Sequence, residues 1–248
     1  MSQRRRTSRP TFSTVDDVVL AGRQWLCAEH PRAAVVLAHG FTATADHPEV
    51  AAIAEAIFAT GVDVITYDAR GHGGSGGEST LGDSERHDVA AAVEAARLRT
   101  DKVIAVGASM GAIAVLRHAA NDPGLTGVVS VSCPSRWRLP RNATGVFSAL
   151  MTRTRPGRAF AARFARVRVS AIWTNPVPPV DLVPSISAPL AVVHGNRDRF
   201  IGVRDAEELY ASAAGPRRLV VVEGMGHAFD AAAAPRIVEA IDWVLEAS

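Results

Sequence analysis

The chain has 248 residues, of which 48% are hydrophobic, and its formal net charge at pH 7 is only +2. This length and apolar content suffice for one sizeable hydrophobic core, so we expect a single domain. No apolar run approaches the ~20 residues of a membrane-spanning helix, and no hydrophobic signal core follows the N-terminal arginines. We therefore expect a soluble, cytoplasmic protein without a membrane span.

The two cysteines, Cys27 and Cys133, are too few and too far apart for a disulfide framework. Neither stands in a Cys-x-x-Cys spacing, so we expect both to be reduced thiols. Four histidines also lack a carboxylate or cysteine at metal-binding spacing: His30, His47, His87 and His118. The sequence accordingly predicts no metal site.

Positive charge is concentrated in two segments. A tail over residues 1–12, which we expect to be disordered, holds four arginines: Arg4, Arg5, Arg6 and Arg9. A second arginine-rich stretch runs over residues 136–168. Binding to nucleic acid is the alternative for that stretch, but it has almost no interleaved aromatic residues and no known module pattern, so a solvated surface is favoured.

After the tail, strands and helices alternate along the chain. Residues 17–28 have strand character suited to an initial antiparallel pair. Later strands are predicted as apolar runs, at residues 33–38, 62–67, 102–106, 127–132, 190–194 and 218–222. Helices are predicted between and after them, at residues 48–59, 85–99, 112–120, 204–214 and 235–245. This alternation predicts an α/β protein with a mostly parallel central sheet and helices on both faces.

One connection is too long for this alternation. Residues 134–187 are rich in proline and arginine, and we expect them to form a small cap inserted between two parts of one core, residues 13–133 and 188–248. Helical content is predicted over residues 143–151 and 157–164. The prolines within residues 175–179 predict an extended return to the sheet.

The most informative motif is Gly107-Ala108-Ser109-Met110-Gly111, between a predicted buried strand and an alanine-rich helix. It matches Gly-x-Ser-x-Gly, the nucleophile elbow, in which a strand reverses into a helix at the serine. Such a residue is strained, usually with positive φ, and the two glycines remove steric collisions. The Ser109 hydroxyl would then project above the carboxyl end of the strand, over the positive N-terminus of the helix. This arrangement is suited to forming and holding an oxyanion.

Four motifs follow one another in the chain: His39-Gly40-Phe41 after a strand, the glycine-rich residues 68–77, the Ser109 elbow, and a late acid and histidine pair. In these motifs residues 33–243 resemble the α/β-hydrolase fold superfamily, and more narrowly its small, capped serine esterases and lipase-like members. The resemblance implies the α/β-hydrolase fold and hydrolysis of a carboxylic ester, with no cofactor and no metal. A small-molecule ester is the implied partner, rather than nucleic acid, and the oligomeric state stays open.

The resemblance also implies a catalytic triad in the chain order Ser, Asp, His. Asp198 is the expected acid because it follows a predicted buried strand and would emerge at the same sheet edge as Ser109. His227 is the expected base because the glycines of its loop let it curl back over the serine. Asp68, which also follows a strand, stays open as an alternative acid.

The backbone N–H groups of Phe41 and Met110 are the expected oxyanion hole. Three other histidines are expected to serve the structure, His39 and His72 as loop braces and His194 as a packed core residue. One departure from the family pattern follows the acid. Here Arg199-Phe200-Ile201-Gly202 stands where relatives have a hydrophobic residue and a proline, which puts the path of this loop in question.

Ester hydrolysis is the leading function, but the same triad could serve acyl transfer, thioester cleavage or peptide-bond hydrolysis. A non-catalytic binding protein on this scaffold is less favoured because the chain retains Ser109, Asp198 and His227. In the expected cap, arginines including Arg136, Arg138, Arg141, Arg153, Arg155 and Arg158 stand among Trp137, Phe147, Leu150 and Met151. An acyl chain beside an anionic or polar head would suit such a cleft.

Overall fold

The computed structural model describes residues 6–28, 31–138 and 143–248. Of the residues named above, Arg4, Arg5, His30 and Arg141 lie outside these ranges. The strands of the described residues are β1 (Arg6–Ser8), β2 (Thr11–Ser13), β3 (Val19–Leu26), β4 (Ala34–Ala38), β5 (Asp63–Tyr67), β6 (Val103–Ala108), β7 (Gly127–Val131), β8 (Leu190–Gly195) and β9 (Arg217–Val222). The helices are α1 (Pro48–Phe58), α2 (Glu85–Arg97), α3 (Met110–Ala119), α4 (Ala143–Arg153), α5 (Arg155–Phe160), α6 (Pro179–Leu182), α7 (Val203–Ser212) and α8 (Ala233–Glu246).

The strands form one sheet in the order β1-β3-β5-β4-β6-β7-β8-β9, and β2 pairs with β3 outside this path. All pairs from β5 through β9 are parallel, whereas β3 pairs antiparallel with β5, β1 and β2. The predicted α/β class with a mostly parallel sheet is therefore confirmed.

Helices cover both faces of this sheet. Because side chains alternate along a strand, Val36 in β4 packs into the core shared with α2, α3 and α7, while Val35 and Leu37 pack into the core shared with α1 and α8. The helices on both faces leave the ends of the strands free. In parallel sheets with crossover helices, sites form at the carboxyl ends of the strands.

The prediction of a disordered tail is wrong for residues 6–12. The β1 strand pairs in register with residues 24–26 of β3, and β2 with residues 19–21. Phe12 is buried against Gly22, and the Arg9 guanidinium donates two hydrogen bonds, of 2.8 and 2.9 Å, to the Asp46 carboxylate. An open sheet edge attracts a further strand, and this long-range pairing outweighs the polar composition of the segment.

The predicted insertion lies between β7 and β8, and residues 132–189 are called the inserted segment below. Helices α4 to α6 lie in it, with a π-helical turn over Ala161–Ala165, so the helical content predicted there is confirmed. Four apolar side chains of the segment pack together against Phe41: Met151, Ala161, Val167 and Val169. Isolated β-bridges tie Val167 to His72 and Val169 to Ser79. The inserted segment is thus attached to loops that follow β4 and β5.

Cys27 and Cys133 are both buried and unpaired, as predicted. Burial raises the pKa of each thiol, to about 11 for Cys27. Among the helices of the described residues, none combines the length and the apolar character needed to cross a bilayer.

Candidate active site

Ser109 occupies the single residue between the end of β6 and the start of α3, with φ 53° and ψ −114°. A side chain at Gly107 would overlap the carbonyl oxygen of Gly111, and one at Gly111 would overlap the carbonyl oxygen of Ala38. Both glycines are therefore required by close backbone packing around the turn. The turn places the Ser109 hydroxyl at the carboxyl end of the sheet.

Three side chains that are far apart in the chain meet at this point. The Nε2 atom of His227 lies 3.0 Å from the Ser109 hydroxyl oxygen, and its Nδ1 atom lies 2.7 Å from Oδ2 of Asp198. Because a carboxylate only accepts, Nδ1 carries the proton and Nε2 is left as the acceptor for the serine hydroxyl. The structure thus brings together the three residues that the sequence assigns to a triad.

The Asp198 carboxylate is fully buried and has several donors. Its Oδ1 atom accepts hydrogen bonds from the backbone N–H groups of Phe200, at 2.8 Å, and Ile201, at 3.0 Å. Burial acts to raise the pKa of Asp198, but the hydrogen bond and charge of His227 and the two backbone donors outweigh it, so the pKa lies below its usual value. Asp198 is therefore held as a carboxylate facing the imidazole.

The loop that follows β4 runs beside the serine. A Cβ atom built on Gly40 would lie 3.4 Å from Cβ of Ser109. Phe41, the next residue, lines the same cavity as Ser109 and Met110. Met110 is the first residue of α3, where backbone N–H groups have no acceptor within the helix. The two residues expected to supply an oxyanion hole are thus neighbours of the serine, and their role stays a prediction.

His39 braces this loop from beneath. Its Nε2 atom accepts a hydrogen bond of 2.9 Å from the Ala69 backbone, so its Nδ1–H donates to the Gly40 carbonyl oxygen at 2.8 Å. Burial, and secondarily the charge of the neighbouring His72, lower the pKa of His39 to about 3. The ring is therefore neutral in the folded protein, in keeping with the loop-bracing role expected for it.

The alternative acid, Asp68, does not reach the histidine. Its two carboxylate oxygens accept hydrogen bonds of 2.8 Å from the backbones of Ala45 and Gly74, and so join two loops. His194 is fully buried, as expected for a core residue, and its Nε2 atom bonds the Ile201 carbonyl oxygen at 3.0 Å. The same Nε2 atom lies 3.7 Å from Oδ2 of Asp198, so His194 packs against the loop over residues 198–201.

His72 is fully buried and bonds the Arg70 carbonyl oxygen through Nδ1 at 3.1 Å. Its ring meets that of Phe41 edge to face, with centroids 5.8 Å apart. Within the described ranges, no group of three or more His, Cys, Asp or Glu side chains is placed to hold a metal ion.

One neighbour of the triad was not predicted. The ring of Phe200 lies against the His227 imidazole, and this contact follows from the path of the loop after Asp198. The departure from the family pattern at residues 199–202 was the only sequence signal there, and it indicated a different path without indicating the contact.

The serine opens on a cavity of about 500 Å³ between the sheet and the inserted segment. Its walls are partly apolar, with Ile113, Trp137 and Trp173 among the lining residues. They also include four arginines: Arg136, Arg138, Arg153 and Arg204. A small organic molecule with a charged or polar group fits such a mixed lining.

Comparisons with known proteins agree with this architecture. Residues 29–174 match the family model Hydrolase_4, described as serine aminopeptidase, S33. The uncharacterized protein YqkD of Bacillus subtilis is 28% identical over 173 residues, which cover 68% of this chain and 56% of YqkD. The chain thus matches little more than half the length of that curated relative.

Two solved esterases share the fold at low sequence identity. The Pyrococcus furiosus esterase Pf2001 superposes with a TM-score of 0.75 at 20% identity, covering 98% of this chain and 92% of that one. An esterase from Thermogutta terrifontis gives a TM-score of 0.69 at 20% identity, covering 97% of this chain and 99% of the other. Taken with the family match, these likenesses show that the chain belongs to the Hydrolase_4 (serine aminopeptidase, S33) family of the α/β-hydrolase superfamily.

Proposed function

We propose that this chain is a serine hydrolase that cleaves carboxylic esters through an acyl-enzyme intermediate, with Ser109, His227 and Asp198 as its catalytic residues. The observation that carries the proposal is the continuous hydrogen-bonded chain from the Ser109 hydroxyl through His227 to Asp198, opening on the large cavity. The esterase names of two proteins with the same fold agree with it.

In the proposed reaction, Ser109 Oγ attacks the ester carbonyl carbon while His227 Nε2 takes the hydroxyl proton. The tetrahedral intermediate then collapses: the bond to the alcohol breaks, and His227 returns the proton to the departing oxygen. In deacylation His227 Nε2 takes a proton from water, which attacks the acyl carbon; the bond to Ser109 Oγ then breaks, the acid leaves, and His227 returns the proton to Oγ. The Asp198 carboxylate keeps the proton on Nδ1 and stabilises the imidazolium that forms twice in this cycle.

The negative charge of each tetrahedral intermediate needs donors that are already in place. We assign this role to the backbone N–H groups of Phe41 and Met110, which lie on a braced loop and at the first residue of a helix. Fixed donors need no reorganisation as the charge develops, and the loss of one typically costs about 3 kcal/mol of barrier.

In this proposal residues 13–133 and 188–248 are the hydrolase core and residues 134–187 the cap. The assignment is supported by the cavity wall, to which the inserted segment contributes Trp137, Arg153 and Trp173. Because these large side chains line the same cavity as the serine, they would decide which acyl and alcohol groups fit. The proposed partner is accordingly a small ester.

The family description raises aminopeptidase activity as an alternative. Such an enzyme binds the positively charged amino terminus of its substrate, and a free carboxylate is the natural partner for that group. In the described part of the cavity wall, the carboxylate is Asp205, which already accepts from Ser135 and pairs with Arg138 at 2.8 Å. The surplus of arginine therefore favours an ester over a free peptide amine.

Replacement of the serine tests the proposal. We expect Ser109→Ala to abolish turnover of p-nitrophenyl butyrate, and Ser148→Ala, which removes another hydroxyl of the same cavity, to retain it. Aminoacyl p-nitroanilides should be cleaved far more slowly than the ester by the unmodified protein. Equal ester turnover by the unmodified protein and Ser109→Ala would exclude the assignment.

A further inference from the structure

Three of the four arginines in the cavity wall are neutralised by carboxylates. The ion pairs join Arg136 to Asp181 at 3.6 Å, Arg138 to Asp205 at 2.8 Å and to Glu208 at 2.7 Å, and Arg204 to Glu208 at 3.1 Å. The Arg138 pairs hold α7 to the start of the inserted segment, whereas the Arg204 pair lies within α7. Each of the three guanidiniums has a carboxylate beside it, and that negative charge weakens its attraction for an anionic ligand.

Arg153 differs from these three. Its guanidinium lies over the ring of Trp173, 5.7 Å from the centroid, and it makes no ion pair with any carboxylate of the described residues. Trp173 in turn meets Trp137 edge to face, with centroids 5.6 Å apart. An aromatic face orients a guanidinium without using its N–H donors. Arg153 is therefore a positioned cation with donors free to bind an anion.

A second cavity, of about 200 Å³, adjoins the first at Arg153 and Trp173, which line both. Arg158, half-buried on α5, lines this side cavity and likewise lacks a carboxylate partner in the described part of the chain. No carboxylate is among the described residues of the lining. Glu85, which accepts hydrogen bonds from Ser79 and Thr80 of the lining, is itself buried.

We propose that the substrate of this enzyme carries an anionic group, a carboxylate or a similar oxyanion, that binds Arg153, where the two cavities join, and Arg158 of the side cavity. This inference rests on the proposed function, since it places the scissile ester at Ser109 in the larger cavity. The side cavity then holds the charged end. Arg153 and Arg158 are specificity-determining residues in this account, and they take no part in bond breaking.

The test compares esters that differ only in charge. Mono-p-nitrophenyl esters of adipic, suberic and sebacic acid are measured against p-nitrophenyl alkanoates of equal chain length, and a second series carries the carboxylate on the leaving phenol. The ratio of kcat/KM for the anionic ester to that for the neutral one is taken within each variant, so a general loss of activity cancels. The two series show whether the acyl or the alcohol side carries the anion.

We expect the ratio to favour the anionic ester in at least one series, and Arg153→Gln to lower it roughly tenfold, as for loss of a charge-assisted contact at a partly exposed site. Arg153→Lys should lose part of this preference for the anionic ester, and added salt should weaken the preference. Arg155→Gln is the matched control, because Arg155 is exposed, stands on the same segment and lines neither cavity.

A binding measurement separates this inference from the proposed function. In the Ser109→Ala background, isothermal titration calorimetry is carried out with the anionic esters of both series. At least one of them should bind with affinity roughly tenfold lower when Arg153→Gln is added, as a lost charge-assisted contact predicts. Absence of turnover with all esters would refute the hydrolase while leaving this arm to decide the anion site. Equal ratios in the unmodified protein, Arg153→Gln and Arg155→Gln, with equal affinities by calorimetry, would overturn the anion site.

Discussion

The ring of Phe200 lies against the imidazole of His227, with the two centroids 4.7 Å apart and the planes inclined by 35°. Phe200 is also the residue whose backbone N–H donates to Asp198. One short loop therefore fixes the proposed acid through its backbone and covers the proposed base with its side chain. Phe200 thus contacts both members of the Asp198 and His227 pair.

Removal of this ring should loosen the imidazole without unfolding the protein, because Phe200 is 52% exposed. Aromatic contacts of this kind contribute about 0.5–1.5 kcal/mol, so we expect Phe200→Ala to lower kcat for a neutral ester by roughly two- to tenfold. Phe160→Ala, at a similarly exposed phenylalanine outside the cavity wall, serves as the control. An unchanged kcat would show that the ring does not position His227.

Asp198→Asn should preserve the fold and remove most of the activity. An amide oxygen can still accept from Phe200 and Ile201, but the amide nitrogen would face Nδ1 of His227 and favour the wrong tautomer. By analogy with the serine protease triad we expect kcat to fall roughly 10⁴-fold.

The matched control is Asp68→Asn, at the other acid that follows a strand. Among the described residues, the Asp68 carboxylate accepts hydrogen bonds from backbone groups of two loops and from no side chain. Its replacement should therefore lower the melting temperature and leave kcat within about tenfold of the unmodified enzyme. If Asp68→Asn were the variant with the greater loss of kcat, Asp68 and not Asp198 would be the catalytic acid.

Gly111, two residues after Ser109, is required because a side chain would not fit there, and not because its backbone has a positive φ. A methyl group at Gly111 would overlap the backbone oxygens of Ala38 and His39, which cannot move without shifting β4. We expect Gly111→Ala to lower the free energy of unfolding by about 3 kcal/mol or more. Gly202→Ala is the control, since nothing lies within 4 Å of its added methyl group. Equal melting curves for the two variants would contradict this packing.

The contribution of three histidines to stability should fall as the pH drops below about 6.5. The pKa of His39 is lowered by burial to about 3, from an ordinary value of 6.5, and burial lowers the pKa of His72 and His118 in the same direction. Between these pH values the unfolded chain binds the proton and the folded chain does not. The stabilisation of the fold by these neutral histidines is therefore complete above pH 6.5. It is lost on acidification, and for His39 the loss in the free energy of unfolding is roughly 1 kcal/mol per pH unit.

Urea unfolding at pH 7.5, 6.0 and 5.0 measures this slope. His39→Asn keeps a donor for the Gly40 carbonyl but cannot titrate, so its stability should depend less on pH than that of the unmodified protein. Parallel curves for His39→Asn and the unmodified protein would show that His39 is not the titrating group.

Much of this arrangement could be predicted because the signals are local. The Gly107 to Gly111 motif determines its own turn. Asp198 and His227 each follow a strand of the parallel sheet, as Ser109 does, so all three emerge at its carboxyl end. Strands β4 to β8 are mostly apolar and buried at every residue, the composition that parallel strands covered on both faces require.

The remaining features depend on contacts between distant segments. Residues 6–8 form a strand only because β3 offers a free edge, and Phe200 covers His227 only because the acid loop folds over it. The difference between Arg153 and Arg138 depends on where Asp205 and Glu208 of α7 lie, and these residues are outside the inserted segment. Charge can be counted from a sequence, whereas its pairing is set by the fold.

The central claim is that Ser109 is the nucleophile, and covalent labelling tests it most directly. We expect a fluorophosphonate probe to add a single phosphonyl group per chain, and peptide mass spectrometry to place it on Ser109. Labelling of another residue, or an unlabelled Ser109 in protein that hydrolyses esters, would contradict the account.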